Sequence, residues 1–222
     1  MSESDSFISE VTEEVQRDKL YGYVRRYGWI AALAIILIVG GAAWNEYRKA
    51  TAEAAAEQTG DALLNALRLD APEERATALA AVTAEGPAAA IAALTTAAAQ
   101  QEAGDETAAA DTLRGLITAQ DMPPIYNDLA AFKLALLPSV ADDERRAVLE
   151  GLAAPGAPLS LLAQEQLALL DLQVGDEDAA VAQLVAIIED AGVSRGLRER
   201  AIGLIVAMGA EKQLEGVFNA SQ

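Results

Sequence analysis

A run of 19 residues without a charged side chain, residues 27–45, constrains this chain more than any other feature. At a helical rise of about 1.5 Å per residue the run is about 28 Å long, close to the roughly 30 Å hydrocarbon thickness of a bilayer. Its core, IAALAIILIVGGAA, is apolar on every face, whereas a helix of a soluble protein is expected to show a polar stripe. A cleaved signal peptide is disfavoured, because the preceding tail is long and acidic and the best cleavage pair, Gly41 and Ala43, precedes the bulky Trp44. The sequence therefore predicts one retained transmembrane helix.

The residues on either side of this run indicate how the helix is inserted. Amphipathic aromatic side chains stand at both ends, as expected of residues that lie among the lipid headgroups. More basic residues precede the run than follow it, which predicts that the N-terminal tail stays in the cytoplasm and the C-terminal part crosses the membrane. The predicted flanks of the anchor are Arg25, Arg26, Tyr27, Trp29, Trp44 and Tyr47.

Small residues at four-residue spacing form a candidate helix-packing face within the anchor. Gly28, Ala32 and Gly40 fall near one side of the helix, and small side chains let two helices approach closely in lipid. The face suits either a dimer or docking to another membrane protein.

The rest of the chain has the composition of an all-helical domain. Apolar residues make up 52% of the sequence but aromatic residues only 5%, and alanine, the best helix former, is abundant. Proline and glycine interrupt the chain at short intervals, and the segments between them carry apolar residues at three- and four-residue spacing, without period-two alternation. The predicted organisation is a cytoplasmic tail over 1–26, the transmembrane helix over 27–45, a stalk or first helix over 46–69, and a helical repeat domain over 70–222.

Two segments of the repeat domain share one pattern, QQEAGDETAAADTLRGLI at 100–117 and LQVGDEDAAVAQLVAII at 172–188. In each, the glycine frees the backbone for a turn, the aspartate caps the next helix, and an alanine lets two antiparallel helices approach closely. The predicted turn and packing residues are Gly104, Asp105, Ala109, Gly175, Asp176 and Ala180. With the alanine as a marker at Ala78, Ala109, Ala147 and Ala180, the spacings are 31, 38 and 33 residues.

These turns and spacings resemble tetratricopeptide repeats, whose period is about 34 residues, without the usual Trp and Tyr of the first helix. Across the whole chain, EEVQRDKLYGYVRRYGWIAALAIILIVGGAAWNEYRKA followed by an alanine-rich array looks like the ancillary subunit of the bacterial Sec translocon. The resemblance implies a periplasmic α-solenoid of antiparallel helix pairs, held by a single span in the bacterial inner membrane. It also implies contact with translocon subunits, periplasmic chaperones or exported proteins.

Residues for catalysis or metal binding are scarce. The chain contains no His and no Cys, which excludes the commonest zinc sites and any His-based general base, and it has no glycine-rich phosphate-binding motif. The acidic clusters at 142–144 and 176–178 begin helices, where negative charge complements the helix dipole. We therefore expect no catalytic residue, no metal site, no cofactor, no small-molecule substrate and no enzymatic activity.

The charge of the chain is strongly negative, at -18, and from Ala50 onward 27 acidic residues accompany 10 basic ones. Such a surface argues against binding to nucleic acid. The basic group Arg195, Arg198 and Arg200 is predicted to pair with nearby acids or face solvent, with a docking patch as the alternative.

The function predicted from these features is that of a membrane-tethered protein-binding scaffold, or a chaperone-like accessory of the secretion translocon. Two alternatives remain open at this point. One is a structural protein that coordinates the envelope or cell division, and the other is a noncatalytic subunit of a membrane complex.

Overall fold

A computed structural model describes residues 3–120 and 122–214, and among them all regular structure is helical, which confirms the predicted all-α class. The side chains of residues 3–24, 27 and 31 lie outside this description. The chain divides into two compact units between Gln58 and Thr59. The helices are α1 (Glu3–Leu67), α2 (Pro72–Ala80), α3 (Pro87–Glu102), α4 (Glu106–Ile117), α5 (Pro124–Ala135), α6 (Asp142–Leu152), α7 (Ser160–Val174), α8 (Glu177–Glu189) and α9 (Arg195–Ala207).

The first unit is the part of α1 up to Gln58. From Gly28 onward α1 contains a stretch with a mean hydropathy of 1.8, no part of which is buried inside the protein. Large apolar side chains such as Ile36, Leu37 and Ile38 are exposed along this stretch, an arrangement that lipid stabilises and water does not. Among the described residues α1 is the one helix that is long and apolar enough to cross a membrane.

The second unit, from Thr59 onward, is a row of helices in which each helix from α2 to α8 packs against the next. Connections of two to seven residues join these helices, so successive helices reverse direction and lie side by side. Apart from a contact between α3 and α5, the substantial contacts among the described helices join neighbours in sequence. The unit is therefore an α-solenoid, in which each repeat is stabilised by the repeats beside it.

The described residues form four hydrophobic clusters that follow one another along the row. The first joins α1, α2 and α3, the second α3, α4 and α5, the third α5, α6 and α7, and the fourth α7, α8 and α9. The helices α3, α5 and α7 each contribute to two clusters, and α7 buries Ala163 in one and Ala168 in the next.

A buried leucine at the same position of every second helix marks the period of the repeats. A fully buried leucine stands eight residues after the N-cap of α2, α4, α6 and α8, with spacings of 34, 36 and 35 residues: Leu79, Leu113, Leu149 and Leu184. Ala109 and Ala180 are also fully buried, but the predicted alanine marker is wrong at Ala147, which is exposed, and Ala78 is only half buried. The leucine gives the true period because it fills the gap between neighbouring helices in every pair.

Two helix pairs close on a Gly-Asp turn. Gly104 and Gly175 have φ values of +80° and +83°, the left-handed conformation that favours glycine. The N–H of the aspartate that follows donates to the carbonyl five residues back, at 2.9 Å for Asp105 and 2.8 Å for Asp176. Each aspartate then caps the next helix by accepting from the backbone N–H three residues later, at 3.0 and 3.1 Å.

The other two pairs use an arginine. Four residues after the N-cap, where α4 and α8 carry their buried alanine, α2 and α6 carry Arg75 and Arg145. Arg75 donates from Nη1 to the carbonyl of Leu69 at 3.0 Å, and Arg145 donates from Nη2 to the carbonyls of Leu137 and Val140 at 3.1 and 3.2 Å. These guanidinium groups hydrogen-bond to backbone carbonyls of the segment that follows the preceding helix, and so tie each connection to the helix after it. The two kinds of connection alternate along the row.

Candidate protein-binding groove

Helix α7 is apolar around most of its circumference because it lies between two hydrophobic clusters. Ala163 packs in the cluster shared with α6, and Ala168 packs in the cluster shared with α8 and α9. A further stripe of α7, in which Leu162 and Leu169 flank Gln166 at helical spacing, is only half buried. This stripe is the floor of an open groove.

The groove has a volume of about 600 Å³ and lies between α5, α7 and α9. Its walls are mainly leucine and phenylalanine side chains, and Leu136 at the end of α5 is 47% exposed. An exposed leucine is ordinary by itself, but a continuous concave apolar lining is typical of a binding surface. We call this surface the inner groove, and its lining is Phe132, Leu136, Leu162, Glu165, Gln166, Leu169, Arg200, Gly203 and Leu204.

Two smaller hollows adjoin the inner groove at Leu136, which lines all three. One, of about 430 Å³, includes Asp142 and Arg145. The other, of about 120 Å³, includes Leu94 and Lys133. They extend the accessible apolar surface beyond α5 toward α3 and α6.

One ion pair lies in the wall of the inner groove. Arg200 donates from Nε and Nη2 to the two carboxylate oxygens of Glu165, at 2.7 and 2.8 Å. Glu165 is 5% exposed, whereas the Arg200 side chain is 54% exposed. The hydrogen bonds to Glu165, and then its negative charge, raise the pKa of the Arg200 guanidinium above its ordinary value. The acid is thus neutralised within the wall while the arginine remains open to the groove.

A second buried carboxylate fixes α7 against its neighbours. Asp171, in the last turn of α7, accepts from Nη2 of Arg146 at 2.7 Å and from Nε2 of Gln183 at 2.5 Å. A negative charge at a helix C-terminus opposes the helix dipole, so the cation on α6 offsets an otherwise unfavourable position. The hydrogen bond to Asp171 raises the pKa of Arg146. This network joins α6, α7 and α8 and holds the helix that forms the floor of the inner groove.

Charge is distributed unequally between the two sets of helices in the second unit. The inner-groove set, α3, α5, α7 and α9, carries four basic and five acidic residues. The opposite set, α2, α4, α6 and α8, carries four basic and eleven acidic residues. The negative charge of the repeat domain is therefore concentrated on the helices that do not form the floor of the groove.

The residues predicted from sequence lie elsewhere in the molecule. Arg25, Arg26, Trp29, Trp44 and Tyr47 are exposed on α1, and the Trp44 and Tyr47 rings are tilted by 32° with centroids 6.3 Å apart. The side chain of Tyr27 lies outside the described residues.

Among the described residues of the first unit, the candidate packing face of the anchor is partly or fully exposed. Gly28 is half buried, Ala32 is exposed, and a Cβ added at Gly40 would meet nothing within 4 Å. The predicted repeat residues are structural, because Gly104, Gly175 and their aspartates form the turns described above and do not line the inner groove.

The inner groove itself was not predicted from sequence. The available signal was the third apolar stripe of α7. A helix that packs into two clusters needs apolar residues on only two faces, so a third apolar stripe indicates a further surface. In the basic group on α9, Arg195 pairs with Glu199 at 2.7 Å and Arg200 pairs with Glu165. The sequence predicted that this group pairs with nearby acids but did not identify which ones.

Metal-binding chemistry has no site in the described part of the chain, where no group of three or more Asp, Glu, His or Cys side chains is arranged to hold an ion. The acidic residues at 142–144 and 177–178 stand in the first turns of α6 and α8, and Asp176 is the N-cap of α8. Their position suits the helix dipole.

Comparison with known proteins gives one match. The sequence model of a tetratricopeptide repeat-like domain matches residues 21–157, which include the apolar stretch of α1 and all of α2 to α6. No curated protein and no solved structure matches the chain. Because the matched segment covers more than half of the sequence and the second unit is a solenoid of helix pairs, this chain belongs to the tetratricopeptide repeat-like domain family.

Proposed function

We propose that this protein is a membrane-tethered scaffold that binds segments of other proteins in the inner groove. The observation that supports the proposal is the groove itself, an open surface of about 600 Å³ that is lined mainly by leucine and phenylalanine side chains. Tetratricopeptide-like domains generally act by protein interaction, and solenoids present concave surfaces for this purpose.

Burial of the groove lining supplies the binding energy. Removing apolar surface from water stabilises a complex by about 25 cal/mol per Å², and part of Leu136, Leu162 and Leu169 is accessible to a partner. Few lining residues are polar, so the contribution of hydrogen bonds is small. A noncatalytic role is part of the proposal, and the absence of His and Cys from the sequence supports it.

The apolar stretch of α1 is proposed to hold the scaffold in the bacterial inner membrane as a single-pass anchor, with the N-terminus cytoplasmic and the repeat domain periplasmic. The basic residues before the span support this direction of insertion. Tethering confines the groove to the membrane surface and raises its effective concentration toward partners at the same membrane.

The partners proposed are translocon subunits, periplasmic chaperones or exported proteins, so that the protein serves as an accessory of the secretion translocon. The layout of the whole chain, a basic and aromatic-flanked span followed by a repeat domain, supports this assignment.

Photo-crosslinking in living cells tests the scaffold and its partners together. A photoreactive amino acid is placed at Leu169 or Leu204 in the inner groove and at Ile36 in the apolar stretch, with the exposed Ala182 of α8 as the matched control. We expect crosslinks from the groove to chaperones or exported chains, crosslinks from Ile36 to translocon subunits, and few from Ala182. Equal yields from Ala182 and the groove positions would refute the groove as the binding surface. Crosslinks from the groove to division or cell-wall proteins would replace the secretion role with the envelope alternative.

A further inference from the structure

We propose that the inner groove selects an amphipathic helix with a leucine-rich face and acidic flanking residues, in preference to a basic one. The inference deepens the proposed function and rests on it, because it specifies the chemistry of the segment that the scaffold binds.

A helix suits the inner groove better than an extended peptide. The groove offers few hydrogen-bonding side chains, of which Glu165 and Arg200 are already bonded to each other and Gln166 is half buried. An extended segment would bring unpaired backbone N–H and C=O groups against leucine and phenylalanine, whereas a helix satisfies its own backbone. Leucines at i, i+4 and i+7 of a bound helix can follow the apolar stripe of α7.

The charges that face the groove and the adjoining hollows favour an acidic partner. Three cations, Lys133, Arg145 and Arg200, and two anions, Asp142 and Glu165, line these surfaces. Both anions are already ion-paired, at 3.0 Å for Asp142 with Arg145 and 2.7 Å for Glu165 with Arg200. The same pairs offset the charges of Arg145 and Arg200, so cations exceed anions here by one, at Lys133, in a chain whose net charge is -18.

Two of these cations have donors left for a ligand. Arg200 uses Nε and Nη2 for Glu165, and among the described residues its Nη1 donates no hydrogen bond. Lys133 has no ion pair in the described part of the chain and lies beside Leu136. Carboxylates on a bound helix can therefore pair with cations at both the α9 and the α5 sides of the groove.

The acidic residues of α2, α4, α6 and α8 other than Asp142 sharpen this preference. At physiological salt a charge is screened within about 8 Å, less than the roughly 10 Å diameter of a helix, so their negative charge acts mainly on their own surface. There it attracts basic peptides and repels acidic ones. A basic segment is thus attracted to the surface of α2, α4, α6 and α8 and away from the groove, whereas an acidic segment binds most favourably in the groove.

The test measures binding of two synthetic peptides to the full chain in nanodiscs of neutral lipid, by fluorescence anisotropy. Both peptides carry leucines at i, i+4, i+7 and i+11, and they differ only in having glutamate or lysine at the same polar positions. We expect the glutamate peptide to bind about tenfold more tightly than the lysine peptide at about 0.15 M salt, where the charge of the other helices is screened. The same discs are used for every variant, so partition of the peptides into lipid cancels.

Two variants and one control test which cations cause the preference for the glutamate peptide. The first variant combines Glu165→Gln with Arg200→Gln, which removes the arginine cation without leaving a buried carboxylate unpaired. The second variant, Lys133→Gln, removes the lysine cation. Each should lower the preference for the glutamate peptide to about threefold or less. The matched control, Arg195→Gln, removes one charge from the same helix at a side chain that is 92% exposed and outside the groove lining, and should leave the ratio unchanged.

Leu169→Asp separates failure of this inference from failure of the proposed function. If the lysine peptide binds as tightly as the glutamate peptide and Leu169→Asp weakens both, the groove binds proteins but the acidic preference is wrong. If Leu169→Asp weakens neither while circular dichroism shows the fold retained, the groove is not the binding site and both proposals fail. A dimer in sedimentation that the peptide dissociates would identify a second copy of the chain as the occupant and overturn the inference.

Discussion

Replacement by alanine should affect two leucines of the second unit differently, one mainly in stability and the other mainly in peptide binding. Leu149 of α6 is fully buried in the cluster that joins α5, α6 and α7, whereas Leu136 is 47% exposed in the inner groove. Leu149→Ala removes transfer free energy and leaves a cavity, so we expect the free energy of unfolding to fall by about 2–5 kcal/mol. Leu136→Ala removes a side chain that is already partly in water, so we expect a loss below about 1.5 kcal/mol.

Urea unfolding of the full chain in detergent, followed by circular dichroism at the helical band, measures both effects. With a slope of roughly 2 kcal/mol per molar urea, a loss of 3 kcal/mol lowers the midpoint by roughly 1.5 M. Repeat arrays can depart from two-state unfolding, so the comparison between the two variants at a common slope is the measured quantity. We expect a large shift for Leu149→Ala and a small one for Leu136→Ala.

The binding assay should give the reverse order. Leu136→Ala should weaken the glutamate peptide by about tenfold, since an anchor leucine contacts the ligand directly. Leu149→Ala should leave the affinity of the remaining folded protein unchanged. If Leu136→Ala destabilised the domain as much as Leu149→Ala, Leu136 would belong to the core, and the groove described here would not be an open surface.

Three further perturbations test the connections and ion pairs. Gly175→Ala forces a side chain into φ +83° and should cost about 1 kcal/mol or more, whereas Gly115→Ala, inside α4 with nothing within 4 Å of the added Cβ, should stabilise by about 0.5–1 kcal/mol in thermal unfolding. Asp171→Ala removes the shared acceptor of the network around α7 and should lower the free energy of urea unfolding by about 1–3 kcal/mol, an effect absent if the network is not formed. The hydrogen bonds to Glu165 raise the pKa of Arg200 in the folded state. The stabilisation that this ion pair gives to the folded state is therefore present below the ordinary arginine pKa, and it is lost only as pH rises through the higher pKa of the folded state. A double-mutant cycle on this pair should therefore give the same coupling energy at about pH 7 and about pH 10, and a fall between them would contradict the assignment.

The sequence predicted those features that depend on residues close together in the chain. The uncharged run and the Gly-Asp turns follow from local chemistry, since one glycine with positive φ and one capping aspartate define each turn. The register of the other pairs was placed wrongly at Ala147, because α2 and α6 use an arginine where α4 and α8 use an alanine. No short pattern shows that these two residue types occupy equivalent positions.

The inner groove depends on contacts that are distant in sequence. Glu165 and Arg200 are 35 residues apart, and nothing near either residue indicates that they pair. In α7, apolar residues occur on almost every side, so periodicity alone does not separate Ala163 and Leu167, which enter a core, from Leu169, which is left open.

The alternation of arginine and Gly-Asp connections has a consequence for how such a domain can change length in evolution. A single helix pair removed or added would place two connections of the same kind next to each other, and each neighbour would meet a surface shaped for the other kind. The chemistry repeats only after two pairs, from Arg75 to Arg145 or from Ala109 to Ala180, a distance of 70 or 71 residues. Gene duplication that preserves the fit between neighbours is therefore expected to copy four helices at a time.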